Sequence, residues 1–156
     1  MRIRDAVRAI VLDPEDRTVL VHFDFGRRVV WATPGGGVNP GESDEEALRR
    51  ELAEEVGLED AEVGPHVWIR EHLFEDPLGD YEGQRERYYV VRTGRFELKP
   101  HLSPEQLREE YVTGVRWWTI DEIEGSDEAF APPDLGEQLR ALTVGGLPER
   151  PIDVGV

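Results

Sequence analysis

The chain has 156 residues, no cysteine, a single lysine at Lys99 and a formal net charge of −16. That length suits one domain with a proper core, and the missing thiols exclude disulfides, thiolate zinc sites and a cysteine nucleophile. The charge argues against gripping a long nucleic acid or an anionic membrane surface, so the expectation is a soluble cytoplasmic protein without a polymeric nucleic acid partner.

"MRIRDAVRAIVLDPED" reaches an acidic turn too soon for a signal peptide, and no apolar run approaches membrane-spanning length. "RDAVRAIVLDPEDRTVLVHF" predicts two strands around a turn at Asp13-Pro14-Glu15-Asp16, and "RRVVWAT" a third that stops at Pro34 and three glycines. A helix follows, then a strand in "AEVGPHVWIREHLF", where Val67, Ile69 and Leu73 alternate. The "DPLGDYEG" loop leads to "RERYYVVRTGRFEL", another predicted strand. "SPEQLREEY" has the composition of a helical turn or mobile loop, and "VRWW" of an apolar strand. "TIDEI" opens a short helix with Thr119 as cap and Glu122 completing a capping box. "PPDLGEQLRALTVGG" supplies a last helix between proline and glycine. Strands mixed with a few helices predict α/β layering, with a mixed sheet between helices, over residues 1–147. Residues 148–156 have the look of a C-terminal tail.

The stretch "GGGVNPGESDEEALRRELAEEVGL" concentrates like charge where a helix must begin. Ser43 and Glu46 have capping-box spacing and Gly57 supplies a left-handed stop, which predicts a helix over 44–56. With Glu51 at zero and ~100° per residue, Glu55 falls near about +40° and Glu54 near about −60°. Leu48, Leu52 and Val56 form a separate apolar stripe beside them. Three carboxylates thus share one narrow face next to the face that packs inward, a geometry for oxygen ligation of Mg²⁺ or Mn²⁺. Arg50, four residues before Glu54, can pair with a carboxylate and hold it in place. Gly35, Gly36 and Gly37 let backbone carbonyls and amides approach a ligand closely. Taken singly, a glutamate run is usually a solvated helix face and three glycines are merely a loop.

The joint spacing changes that balance. Gly36, five residues, Glu42, seven residues, then Arg50-Glu51-Leu52-Ala53-Glu54-Glu55-Val56-Gly57-Leu58 resembles the signature box of the Nudix hydrolase family (MutT-like), with nine specified positions in 23 residues. "WATPGG" before the box and "VRWWTIDEI" after it extend the resemblance more loosely. It implies an α/β/α sandwich with a mixed β-sheet, and divalent-metal-dependent hydrolysis of a phosphoanhydride in a nucleoside diphosphate linked to another moiety. It further implies Glu51 and Glu55 as main metal ligands, Glu54 as a further ligand or water activator, and the Gly35 carbonyl in the inner shell. Arg50 would orient the glutamates, and Glu42 would steady that network or bind a second ion. The partner implied is a small nucleotide-type substrate, and a homodimer is compatible with the family although no segment marks an interface.

The box leaves the general base open. Glu110 and Glu109 precede a predicted strand and could swing over the site, and Glu86 is a second candidate if it projects from a sheet edge. Trp117 and Trp118 should split between sheet faces, while Trp31, next to the glycines, could stack on a base. Arg85 and Arg87 could reach phosphates. The four histidines lack an HExxH spacing and no serine sits in G-x-S-x-G. Substrate signposts of the family are missing: Leu73 replaces the proline of the ADP-ribose group, and Glu75 and Asp76 stand where the diadenosine polyphosphate group has a tyrosine, Tyr81 coming late. An alternative reading is a catalytically idle Nudix domain that binds a nucleotide as a sensor.

Overall fold

Alternation along β1 (Ile3–Leu12) builds two faces at once. Val7, Ala9 and Val11 enter one core, and Ile10 and Leu12 the other. The computed structural model describes residues 2–73 and 82–155; the "DPLGDYEG" loop and the signposts Glu75, Asp76 and Tyr81 fall mainly on 74–81, outside those described residues.

Among the described residues, nine strands form one mixed sheet. β1 joins β2 (Thr18–Asp24) through the Asp13 turn, yet the two pair only at Leu12 and Thr18 before splaying apart. β2 instead takes β3 (Val29–Ala32) on one edge and β7 (Val112–Trp118) on the other, both antiparallel. β1 runs parallel to β6 (Gly83–Arg92) along ten residue pairs, and β6 carries β5 (His66–Leu73) on its far side. The glycines read as a loop are in fact a short strand, β4 (Gly35–Gly37), antiparallel to β1 at Arg8, Val7 and Ala6. β8 (Phe130–Ala131) pairs with β3. Within 148–156, β9 (Ile152–Asp153) pairs parallel with β5.

One face of the sheet is covered by α1 (Asp44–Val56), whose Leu48, Leu52 and Val56 are fully buried as the apolar stripe predicted. Each such side chain contributes about 1.5–3 kcal/mol of hydrophobic stabilisation. The other face is covered by α3 (Ile120–Gly125) and α4 (Leu135–Gly145), with Leu135, Leu139 and Leu142 in the second core. The result is an α/β/α sandwich. Trp117 packs towards the α1 side and Trp118 towards the other, split as successive strand residues must be. The capping boxes of Ser43 with Glu46 and Thr119 with Glu122 both form. "SPEQLREEY" holds a short helix, α2 (Pro104–Glu109), capped by Ser103. Among the described residues no helix is long and apolar enough to cross a membrane.

One strand prediction ran too long. β6 ends at Arg92, and the chain then folds back over the end of α1. There the N–H groups of Lys99, His101 and Leu102 donate to the carbonyls of Val56, Ala53 and Glu54. Those carbonyls lie in the last turn of the helix, where Ala53 also accepts from the Gly57 N–H at 3.2 Å. Gly57 makes this possible: its φ is +79°, and a Cβ there would sit 2.0 Å from the Lys99 carbonyl oxygen.

Candidate functional site

Glu51 and Glu55 lie one turn apart on the buried side of α1, where the sheet splays between β1 and β2. Glu110, the exposed residue that caps the end of α2, lies beside the start of β7. One carboxylate oxygen from each of these three residues lies within 4.8 Å of the others. So dense a cluster is costly on its own. Burial pushes the Glu55 carboxyl well above the usual range and the charges of Glu51 and Glu110 push it further, against the Arg8 charge and the Gly35 N–H. Burial likewise raises Glu51, opposed by Arg50 and reinforced by Glu110 and Glu54. Glu110, although exposed, is raised by partial desolvation at the cluster and by the charge of Glu54. α1 also ends without a basic residue in its last turn, so these acids sit at the negative end of its dipole.

Arg50 supplies the countercharge on one flank. Its Nε and Nη2 donate to both oxygens of Glu42 at 2.8 and 2.9 Å, its Nη1 to Glu51 at 2.9 Å, and Nη2 also to the Gly37 carbonyl at 3.0 Å. The Arg50 hydrogen bond, joined by the Asn39 N–H, brings the Glu42 carboxyl down to about 2. Glu54 lies 3.5 Å from Arg50 on the outer side and is not one of the three clustered carboxylates. Gly35 donates its N–H to Glu55 at 2.8 Å, and its carbonyl accepts from Arg8 Nη1 at 3.3 Å. A Cβ at Gly36 would stand 2.5 Å from Glu51 Oε1, so only glycine leaves that carboxylate its place.

Behind this cluster lies a group that the box does not specify. Glu86 is buried in the centre of the sheet, 2.5 Å from Arg8 and 2.7 Å from Arg70, with His72 at 3.5 Å. Burial alone would raise its carboxyl, but the Arg8 charge, the His72 hydrogen bond and the Arg70 charge drive it far below the usual range. β6 is an interior strand, so Glu86 does not project from a sheet edge and is no candidate base. Arg8 and Arg70 belong to no motif in the sequence. Their signal was present: each puts a charge at an inward position of an apolar strand, and Arg70 faces Glu86 in register. Arg87 is bound to Asp44 and Asp5, and Arg85 to Glu71, so neither is poised for phosphate. Glu109 is exposed, and the Trp31 indole N–H donates to Glu128 at 2.9 Å.

The sequence profile of the NUDIX domain matches residues 2–142. The chain belongs to the Nudix family. An RNA pyrophosphohydrolase of Wolbachia pipientis is 34% identical over 128 residues, covering 78% of each chain. That of Helicobacter pylori is 32% identical over 115 residues, 67% of this chain and 74% of its own. Among solved structures, the ORF135 protein of E. coli is 26% identical, with a TM-score of 0.65 and 93% and 94% of the two chains covered. Family and relatives together make this Nudix chain a pyrophosphohydrolase by enzyme class.

Proposed function

We propose that the chain uses Mg²⁺ or Mn²⁺ to hydrolyse a phosphoanhydride in a nucleoside diphosphate linked to another moiety, releasing a nucleoside monophosphate or second phosphorylated product. The convergence of Glu51, Glu55 and Glu110 within 4.8 Å carries this reading. The donors fit a hard cation: they are carboxylate oxygens, with no sulfur among them. Glu51, Glu55, Glu54 and the Gly35 carbonyl are the groups we assign to hold it. When bound, such a cation supplies charge neutralisation for the diphosphate and lowers the pKa of the attacking water.

The remaining roles fall to side chains. Arg50 fixes Glu51 and the glycine strand in one guanidinium fork, which keeps the ligands from spreading under their own repulsion. Glu54 and Glu110 are the carboxylates assigned to the proton of the attacking water. The upward shift of Glu110 is in the direction that a base working near neutral pH requires.

For substrate we assign the polyphosphate of a single nucleotide, free or at a chain end. The relatives' name specifies RNA, but a net charge of −16 opposes any extended grip on a phosphate backbone. The test is a panel with Mg²⁺ and Mn²⁺: nucleoside triphosphates, ADP-ribose, dinucleoside polyphosphates and a 5′-triphosphorylated oligoribonucleotide, read by mass and phosphate release. Cation-dependent anhydride cleavage on at least one member is the expected result. Tight nucleotide binding with no cleavage of any member would overturn it in favour of a sensor.

A further inference from the structure

A chain of contacts runs from the interior of the sheet to the carboxylate cluster, and the hydrolytic reading gives it no task. It starts at Arg70 on β5, whose Nη1 donates to Glu86 Oε1 at 2.7 Å. The other oxygen of Glu86 accepts from Arg8 Nε at 2.5 Å. Arg8 Nη1 then donates to two carbonyls of the segment leading into the box, Thr33 at 3.2 Å and Gly35 at 3.3 Å. Gly35 closes the chain by giving its N–H to Glu55 at 2.8 Å. The side chains of Arg8, Glu86 and Arg70 are only 14%, 2% and 4% exposed, so their bonds act in a low-dielectric interior that strengthens them.

The two arginines differ in what they reach. Arg70 occupies one oxygen of Glu86, which leaves the other to hold Arg8 by its Nε. A guanidinium is planar, with its donors fixed relative to one another, so anchoring Nε sets the direction of Nη1. The Phe23 ring, 5.8 Å from Arg8 Cζ, flanks the same group. Between the two carbonyls that Arg8 holds, that of Pro34 accepts instead from the Ala9 N–H at 2.8 Å. The segment is thus tied to β1 by side chain and backbone alternately. At Gly35 it lies so close that a Cβ would stand 2.0 Å from the Val7 carbonyl oxygen.

We infer that Arg8 is a positioning residue for the cation site: held by Glu86, it fixes the Gly35 carbonyl and, through the Gly35 N–H, the Glu55 carboxylate. The inference rests on the proposed cation site and names the residue outside the box that orders two of its groups. It carries a sign that charge alone would reverse. A guanidinium repels a nearby divalent cation, so as a mere charge Arg8 would weaken binding and its removal would tighten it. As an orienting donor it keeps the ligands in place, and its removal weakens binding.

The test is calorimetric titration of the substrate-free protein with Mg²⁺ and with Mn²⁺, beside its melting temperature. Arg8→Met removes charge and donors together. Arg8→Lys keeps the charge and a partner for Glu86 but loses the fork that reaches both carbonyls, and it keeps the test open should Arg8→Met not fold. Each should weaken Mg²⁺ binding by about 10–100-fold. Arg70→Lys leaves Arg8 and Gly35 in place, and should lower the melting temperature without changing cation affinity. Tighter cation binding by Arg8→Met would overturn the inference, as would wild-type affinity in Arg8→Lys. So would an equal loss of affinity in Arg70→Lys, which would reduce the effect to a general loosening of the fold. A wild-type chain that binds neither cation would refute the metal reading together with the inference. One that binds them with the expected variant effects yet cleaves no anhydride would refute hydrolysis alone and leave the role of Arg8 standing.

Discussion

Replacing Glu55 by glutamine separates the cost of the carboxylate cluster from its use. Glu55 is 1% exposed and shares a space 4.8 Å across with Glu51 and Glu110. Two full charges at that separation repel by about 3.5 kcal/mol at an effective dielectric near 20. Partial protonation and the opposing Arg8 charge reduce what the metal-free protein suffers to about 1–2 kcal/mol. Glutamine keeps an oxygen for the Gly35 N–H and offers Glu51 a donor in place of a repelling charge. In EDTA at pH 8 the variant should therefore melt higher than wild type, by roughly 2–4 °C per kcal/mol for a domain of this size. The same change removes a metal ligand. Substituting residues that merely support ligands costs about 10–100-fold, so hydrolysis with Mg²⁺ should fall by at least about 100-fold, and added Mg²⁺ should no longer raise the melting temperature. Thermal denaturation with and without EDTA, alongside product release, reads both effects. A lower melting temperature in EDTA would refute the repulsion argument, and undiminished turnover would refute the ligand assignment.

The pH dependence of the metal-free protein should carry two opposite signs. Asp44 is held low, first by its hydrogen bond to Arg87, and Glu86 is held low by its cationic neighbours. Their stabilisation is present above the unfolded pKa of a carboxyl and is lost as pH falls through the folded values. Glu51, Glu55 and Glu110 are raised instead. Their relative stabilisation is complete below the unfolded pKa and is lost as pH rises through the folded values. The melting temperature in EDTA should thus pass through a maximum in the weakly acidic range, and Mg²⁺ should stabilise more at pH 8 than at pH 5. A flat profile above pH 5 would contradict this. Gly36→Ala should abolish stabilisation by Mg²⁺ while the sheet persists, because its Cβ would displace Glu51; calorimetric titration with Mg²⁺ checks it. Glu86→Gln strips Arg8 and Arg70 of their shared countercharge and should destabilise the fold by about 3–5 kcal/mol, measured by urea denaturation. Leu52→Ala, at a fully buried position in the α1 core, should cost about 2–5 kcal/mol by the same assay.

What the sequence determined by itself is local. The helix bearing the box follows from Ser43, Glu46 and Gly57 within one short segment, and its buried stripe follows from a period of 3.6 residues. The adjacency of Glu51, Glu54 and Glu55 needed nothing beyond that same period. What lay outside it depended on which strands meet. The Asp13 turn suggests a long hairpin, but β1 leaves β2 after one residue pair and runs parallel with β6, distant in sequence. No local pattern encodes that choice, which is settled by packing α1 on one face and α4 on the other. From it follow the splay that opens the cleft, the meeting of Arg8 and Arg70 at Glu86, and the strand formed by Gly35, Gly36 and Gly37. Glu110 shows the difference most plainly. Its sequence neighbourhood marks only a carboxylate before a strand, and its arrival beside Glu51 and Glu55 exists solely because β7 pairs with β2 across the cleft.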